Sequence, residues 1–392
     1  MLLMIDQKQL LLRELRKANP WWGSGRVPSE WARKFKRADF YPYSNELVSS
    51  KFPMVIHGPR QIGKTTIIYQ LIEYLIDKKK VDPSRILFLS LERAVFETIS
   101  MPIKTSLQIF EEFVLKEPLM ATSSPIFVFL DEASRSDIWS VEVKEFVDEK
   151  YPIHFFVTGS SGPALFSKSS ESLLGRHIPT LMLTLKFRDV VRFRGIEVFH
   201  TPLRQSFLQS IESKDPKDFY DKLTDFYVSQ GASNETKFQL ILNDYLLKGG
   251  YPKFYDDEMN WYETSKIMRE AYFDAIMSHD IVRVFNLRNT EKIRQLYTFL
   301  SLSISQKINF SNLNSDLGIN RETLDKYFSH LVDTHLVDFS VPYKRNPRLI
   351  SNDMKKVYVG DVGMRNSVLG ITEEESMEPQ IQGPLAENVA YN

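Results

Sequence analysis

The chain has no cysteine in its 392 residues. That excludes disulfides, thiol nucleophiles and cysteine-ligated zinc or iron-sulfur centres, and it fits a reducing compartment. Net charge is absent too, because 50 Lys and Arg balance 50 Asp and Glu. With no whole-molecule field to attract a polyanion, any hold on nucleic acid must come from a local patch. No run approaches the roughly 18 apolar residues of a membrane span, so no membrane partner is expected. The opening stretch from Met1 to Arg13 has short apolar clusters broken by Asp6 and Lys8, without a basic leader or a small-residue cleavage site. It reads as an amphipathic helix, and the expected location is cytoplasmic. The histidines are scattered; His330 and His335 do not share a helix face, so no transition-metal site is expected.

What is present centres on Gly58, Pro59, Arg60, Gln61, Ile62, Gly63, Lys64, Thr65 and Thr66, which fit GxxxxGK[ST] at every fixed position. An apolar strand-like run, Phe52 to Ile56, precedes them, and an amphipathic helical stretch, Ile67 to Ile76, follows. The two glycines let the backbone wrap a phosphate, with successive amides and the positive helix end pointing at the anion. Lys64 then reaches the β and γ oxygens, and the Thr65 hydroxyl holds a magnesium ion. A plain glycine turn before an ordinary helix is disfavoured by the flanking strand and helix.

Downstream, Arg85–Leu91, Pro125–Leu130 and Ile153–Val157 are apolar on both faces and alternate with helical stretches near 107–115 and 138–148. A last strand is expected within 178–185. Such alternation predicts an α/β fold with a parallel sheet covered by helices on both faces. Asp131 and Glu132 fall at the carboxyl end of a buried strand, where open parallel sheets place their chemistry. Asp131 is assigned to the metal and Glu132 to the base that activates water. Thr158-Gly159-Ser160-Ser161 ends the next strand at the same edge; its hydroxyls, that of Ser160 among them, can position water or read the γ-phosphate, although turn chemistry alone also explains Gly and Ser there. Arg176 is a candidate for stabilising transition-state charge. Trp21 and Trp22 either pack on the core or wall a base pocket, with packing favoured.

With those residues in view, the chain resembles the prokaryotic, especially archaeal, AAA-type ATPases in which a P-loop domain precedes a winged helix and a nuclease-like C-terminal region. The matching pieces, in order, are Asn19–Trp22, Gly58–Thr65, Phe129–Glu132, Thr158–Ser161, Ser172–Arg176, Leu247–Pro252, Lys356–Gly363 and Gly383–Asn388. The resemblance implies a P-loop NTPase sheet of strand order 5-1-4-3-2, ATP as the nucleotide, and Arg176 near a γ-phosphate, that of this chain or of a neighbouring subunit. Because the family continues past the Gly383–Asn388 stretch, the chain is expected to lack nuclease activity.

The organisation expected is a helical extension (1–50), a P-loop AAA-type core (51–200), a helical lid (201–288), a winged helix (289–350) and the start of a nuclease-like region (351–392). Helices are expected at 5–17, 29–36, 203–230, 237–247, 262–284, 291–303, 310–317 and 320–334, with wing strands at 337–343 and 356–359. Asp280 on the long helix is read as half of an interdomain salt bridge. The third helix of the winged-helix pattern bears Arg321 and Lys326 but also Glu322 and Asp325, so Lys344–Arg348 is the more basic patch for DNA. Contact with a protein partner or a second copy is the alternative. The function expected is magnesium-dependent ATP hydrolysis, binding ATP and ADP. Its competitors are a nucleotide-gated DNA-binding regulator with little turnover and a kinase using the same loop.

Overall fold

The computed structural model describes residues 2–160, 165, 173, 175–196, 201–226, 228, 232–256, 259–285, 290–308, 313, 317–341 and 355–392. Ser161, most of the expected helix 310–317 and the basic stretch Lys344–Arg348 lie outside them. Two compact units divide the chain: residues 1–183, 278–288 and 329–335 form one, and residues 184–277, 289–328 and 336–392 the other. Residues 1–50 group with the sheet, and two later stretches join them.

The first unit is built on five parallel strands: β1 (Met54–His57), β2 (Ile86–Ser90), β3 (Ile126–Asp131), β4 (Ile153–Gly159) and β5 (Ile178–Leu181). Their order is β2-β3-β4-β1-β5. Every residue of β2 and β3 is buried, as continuous apolar runs require of a sheet covered on both faces. Leu107 and Phe110 of helix Pro102–Phe110, with Val143 and Phe146 of helix Trp139–Asp148, pack with Leu87, Leu89, Val128 and Leu130 in one core cluster. Parallel register places Met54 opposite both Phe156 and Ile178, so the carboxyl ends of β1, β3 and β4 share one edge.

The outer edge of β2 is covered by the segment after the first helix, Leu2–Ala18. Asn19, 1% exposed, behaves as an extra strand residue: its Nδ2 donates to Phe88 O (3.0 Å) and Leu15 O (2.8 Å), while its Oδ1 accepts from Phe88 N (2.6 Å). The indole N–H groups of Trp21 and Trp22 both donate to Ile86 O, at 3.1 and 2.7 Å. The two tryptophans thus close the sheet edge, which would otherwise be open to pairing with another chain.

Local departures from the sequence reading have local causes. Helix Ser29–Ala32 stops early, where Arg33 takes a positive φ of 53° with an extended ψ of 155°. Helix Phe40–Ser49 was not among the expected helices; it tolerates Pro42 because that residue sits in the first turn, where an amide N–H has no intrahelical partner to lose. The expected long helix 262–284 runs as Trp261–Ile267, two widened π-type segments, Met268–Phe273 and Ile276–Ile281, and Val282–Phe285. The stretch 203–230 splits at Lys214–Pro216 into Thr201–Ser213 and Lys217–Phe226.

In the second unit an antiparallel sheet has the order β6-β8-β7, from Lys307–Ile308 (β6), Val337–Ser340 (β7) and Lys355–Val359 (β8). Two glycine motifs far apart in sequence form one clasp beside it. Buried Asp361 caps helix Val362–Leu369, its Oδ1 accepting from Met364 N (2.9 Å) and its Oδ2 from Gly250 N (2.8 Å). A Cβ on Gly363 would stand 2.1 Å from Lys248 O, and one on Gly250 would stand 2.2 Å from Leu185 O, so neither position accepts a side chain. Asp361 and Gly363 are thereby tied to residues 248–250 within the second unit.

Candidate active site

The loop between β1 and helix Lys64–Asp77 is shaped by contacts that only its sequence permits. A Cβ at Gly58 would meet Met182 O at 1.8 Å, so the close approach of the chain after β5 requires glycine. Gly63, at φ 93°, is the residue before the helix, and Gln61 is left-handed at φ 65°. Ile62 is buried at 1% exposure and pins the loop to the core. Arg37, which no sequence motif marked, props it from behind: Nη1 donates to Ile62 O (3.3 Å) and Nη2 to Leu183 O (2.8 Å). The amides of Lys64, Thr65 and Thr66 are first-turn donors without acceptors inside the helix, which is the arrangement that receives an anion.

Lys64 is buried at 5% exposure, and its Nζ donates to Gly58 O (2.9 Å) and Pro59 O (2.8 Å). Burial pushes its ammonium below the ordinary range, against the pull of Glu132 and Asp131, whose carboxylates face it. Added negative charge in the loop would favour its charged form.

Across from it, Thr65 Oγ1 donates to Asp131 Oδ2 at 2.8 Å. Thr158 Oγ1 donates to the other oxygen, Oδ1, at 2.5 Å and accepts from Glu132 N at 3.3 Å. Asp131 is 3% exposed, and its carboxyl is raised to about 6, chiefly by burial and further by Glu132, with the Thr158 and Thr65 hydroxyls pulling it back down. Glu132 takes a left-handed backbone, φ 50° and ψ 47°. For a non-glycine residue that conformation costs on the order of 1 kcal/mol, and it turns the side chain out of the alternation of β3 at the strand's end.

These donors fit a hard divalent cation. A hydroxyl and a carboxylate oxygen at touching distance on the rim of an anion cradle match the one or two protein oxygens by which magnesium is held together with substrate phosphates. Among the described residues no cluster of three His, Asp or Glu groups stands ready for any other ion.

The structure brings together Gly58, Gly63, Lys64, Thr65, Asp131 and Glu132, and it puts Thr158 between the acids. Ser160 lies at the end of β4, 9% exposed, at the same edge. Arg176 requires correction. It precedes β5, whose first residue pairs with the first residue of β1, and so stands at the amino edge of the sheet, roughly 13 Å of strand from the loop. There its Nε lies 3.0 Å from Asp148 Oδ1 in an exposed pair. It does not reach this chain's own phosphate loop. Asp280 does form a salt bridge, and its partner is Arg60 of the loop itself, in the same compact unit. Arg37 is the site residue that sequence reasoning missed; Thr158 stood in the strand-end stretch without its link to Asp131, and Asp280 was read as a salt-bridge residue without its partner.

Residues 50–191 match the family model described as an AAA domain, and residues 239–375 match a domain of unknown function, DUF8612. An uncharacterized protein of Methanocaldococcus jannaschii is 24% identical over 346 residues, covering 86% of this chain and 65% of that protein. The chain thus spans less than two thirds of that relative's length. An uncharacterized protein of Haemophilus influenzae is 20% identical over 336 residues, covering 84% of this chain and 72% of that one. Among solved structures, the Walker-type ATPase of Pyrococcus abyssi superposes with a TM-score of 0.43 at 11% identity, over 86% of this chain and 98% of that one. So loose a likeness carries no argument. Residues 50–191 are thus similar to an AAA domain, in keeping with the parallel sheet and the phosphate loop.

Proposed function

We propose that the first unit binds ATP with magnesium and hydrolyses it. The observation that carries this reading is the 2.8 Å contact between Thr65 and Asp131, which joins the helix after the phosphate loop to the acidic end of β3. Amides of the loop and Lys64 would grip the phosphates, and Thr65 and Asp131 would hold the magnesium ion. When bound, that ion neutralises charge on the β- and γ-phosphates. Thr158 keeps the Asp131 carboxylate turned toward Thr65. Glu132 would accept the proton of the attacking water, a role for which its left-handed turn supports the aim. A part for Arg176 would require a neighbouring subunit.

Helix Arg321–Asp333 by itself gives a nucleic acid little hold. Exposed charges of helix Arg321–Asp333 pair along the helix, Lys326 with Glu322 at 2.6 Å and Arg321 with Asp325 at 3.9 Å, so they offer little net charge to a phosphate backbone.

The test is Glu132→Gln. It should bind ATP as tightly as the unaltered protein and lose at least a hundredfold in phosphate release, the scale of a missing general base. Undiminished phosphate release in that variant would remove the assignment of the base, and release without added magnesium would remove that of the metal.

A further inference from the structure

Arg60 lies inside the phosphate loop but points at a partner 220 residues away. Its Nε donates to both oxygens of Asp280, at 2.8 Å (Oδ1) and 2.7 Å (Oδ2), and Nη2 lies 2.7 Å from Oδ1. The Asp280 side chain is 9% exposed and that of Arg60 is 31% exposed, so the carboxylate is the fixed member and the guanidinium the one with room to move. Burial works against the Arg60 charge; the hydrogen bonds and charge of Asp280 outweigh it, and Glu132 and Glu92 add to them. Arg60 is therefore within electrostatic reach of Glu132, at the end of the site where water would attack.

We propose that Arg60 tells a triphosphate from a diphosphate, and that Asp280 sets the strength of that discrimination by holding the guanidinium until a third phosphate competes for it. The inference rests on the ATP-binding reading above. A γ-phosphate offers more charge and more acceptor oxygens than a carboxylate, and can draw an arginine away from one. A diphosphate ends short of Glu132 and leaves the pair intact. The ligand that separates the pair carries the cost of doing so, and its apparent affinity is lowered by that amount. Segment 278–288, in the same compact unit as the loop, then loses its anchor only when the triphosphate is present.

The experiment measures binding of a non-hydrolysable ATP analogue and of ADP, with magnesium, to the full chain and to Asp280→Asn, Arg60→Gln and Lys64→Ala. Asp280→Asn should bind the triphosphate about tenfold more tightly and ADP within about twofold of the unaltered protein, because one partly buried charge pair no longer has to be broken. Arg60→Gln should lose most of the triphosphate preference. Amides of residues 278–285 should exchange faster in the unaltered protein with the triphosphate than with ADP. Weaker or unchanged triphosphate binding by Asp280→Asn would overturn the proposal, since a residue that merely steers Arg60 toward phosphate would give that result. If Asp280→Asn does not fold, a full triphosphate preference in Arg60→Gln overturns it instead. Equal nucleotide binding by the unaltered protein and Lys64→Ala would sink the ATP reading itself, and this inference with it.

Discussion

Thr158 touches both acidic residues of the site, donating to the Asp131 carboxylate and accepting from the Glu132 amide. Its hydroxyl is one of the forces that keep Asp131, raised to about 6 by burial, from rising further. An ionised Asp131 is the form that would hold magnesium, so kcat/KM for ATP should climb with pH through about 6. In Thr158→Val the charged form loses a hydrogen bond, and the midpoint should move up by about one pH unit, the equivalent of about 1.4 kcal/mol. A pH profile of phosphate release measures this, and an unmoved or lower midpoint would contradict it. At this scale the sequence was legible where function is contiguous: Gly58–Thr66 and Asp131–Glu132 are short runs following apolar strands. It was less so where a side chain's direction decides. Thr158 and Ser160 are neighbours in one polar stretch, and only the pairing of β3 with β4 brings Thr158 to Asp131. Arg60 and Asp280 share no local signal at all.

Elements were readable in proportion to their apolar continuity. The runs that became β2, β3 and β4 are long, buried on both faces and bounded by polar breaks, so their period and length agree. Helix Phe40–Ser49, which carries a proline in its first turn, was not among the expected helices. The edge cover of β2 was hidden because Asn19 and the two tryptophans act through hydrogen bonds to backbone, which leave no periodicity. That cover can be tested. Asn19→Ala deletes three buried hydrogen bonds and strands the N–H and C=O of Phe88 in the interior. The first unit should lose about 2–4 kcal/mol, and the freed edge should promote association. A lower urea midpoint with a protein-concentration-dependent rise in light scattering is expected; an unchanged midpoint would mean that the tryptophans hold the edge without Asn19.

For the whole molecule, the interleaving of two compact units could not be read from the chain, because residues 278–288 and 329–335 join the first unit through contacts that are distant in sequence. Overall neutrality likewise leaves the pH dependence of stability to a few buried groups. Glu142 accepts from the amides of Ile103 and Lys104 at 3.0 and 2.8 Å, capping helix Pro102–Phe110. Burial still raises its carboxyl from 4.5 to about 7, the two amides only moderating the rise. A carboxyl raised on folding contributes stability that is fully present below its ordinary value and lost as pH climbs through its folded one. Glu142, and Asp131 with it, therefore favour the folded state at mildly acidic pH. His57 and His154 act in the opposite sense: burial lowers both from 6.5, with Lys64 adding to the effect on His57 and backbone acceptors opposing it on His154. Their contribution is present above 6.5 and is lost as pH falls. Taken alone, Glu142 lowers stability by about 1 kcal/mol between pH 6.3 and pH 8. Urea unfolding at pH 6.3 and pH 8 should reveal that decline in the unaltered protein and flatten it in Glu142→Gln, whose amide does not ionise. Should stability rise from pH 6.3 to pH 8, the buried carboxyls do not govern this range.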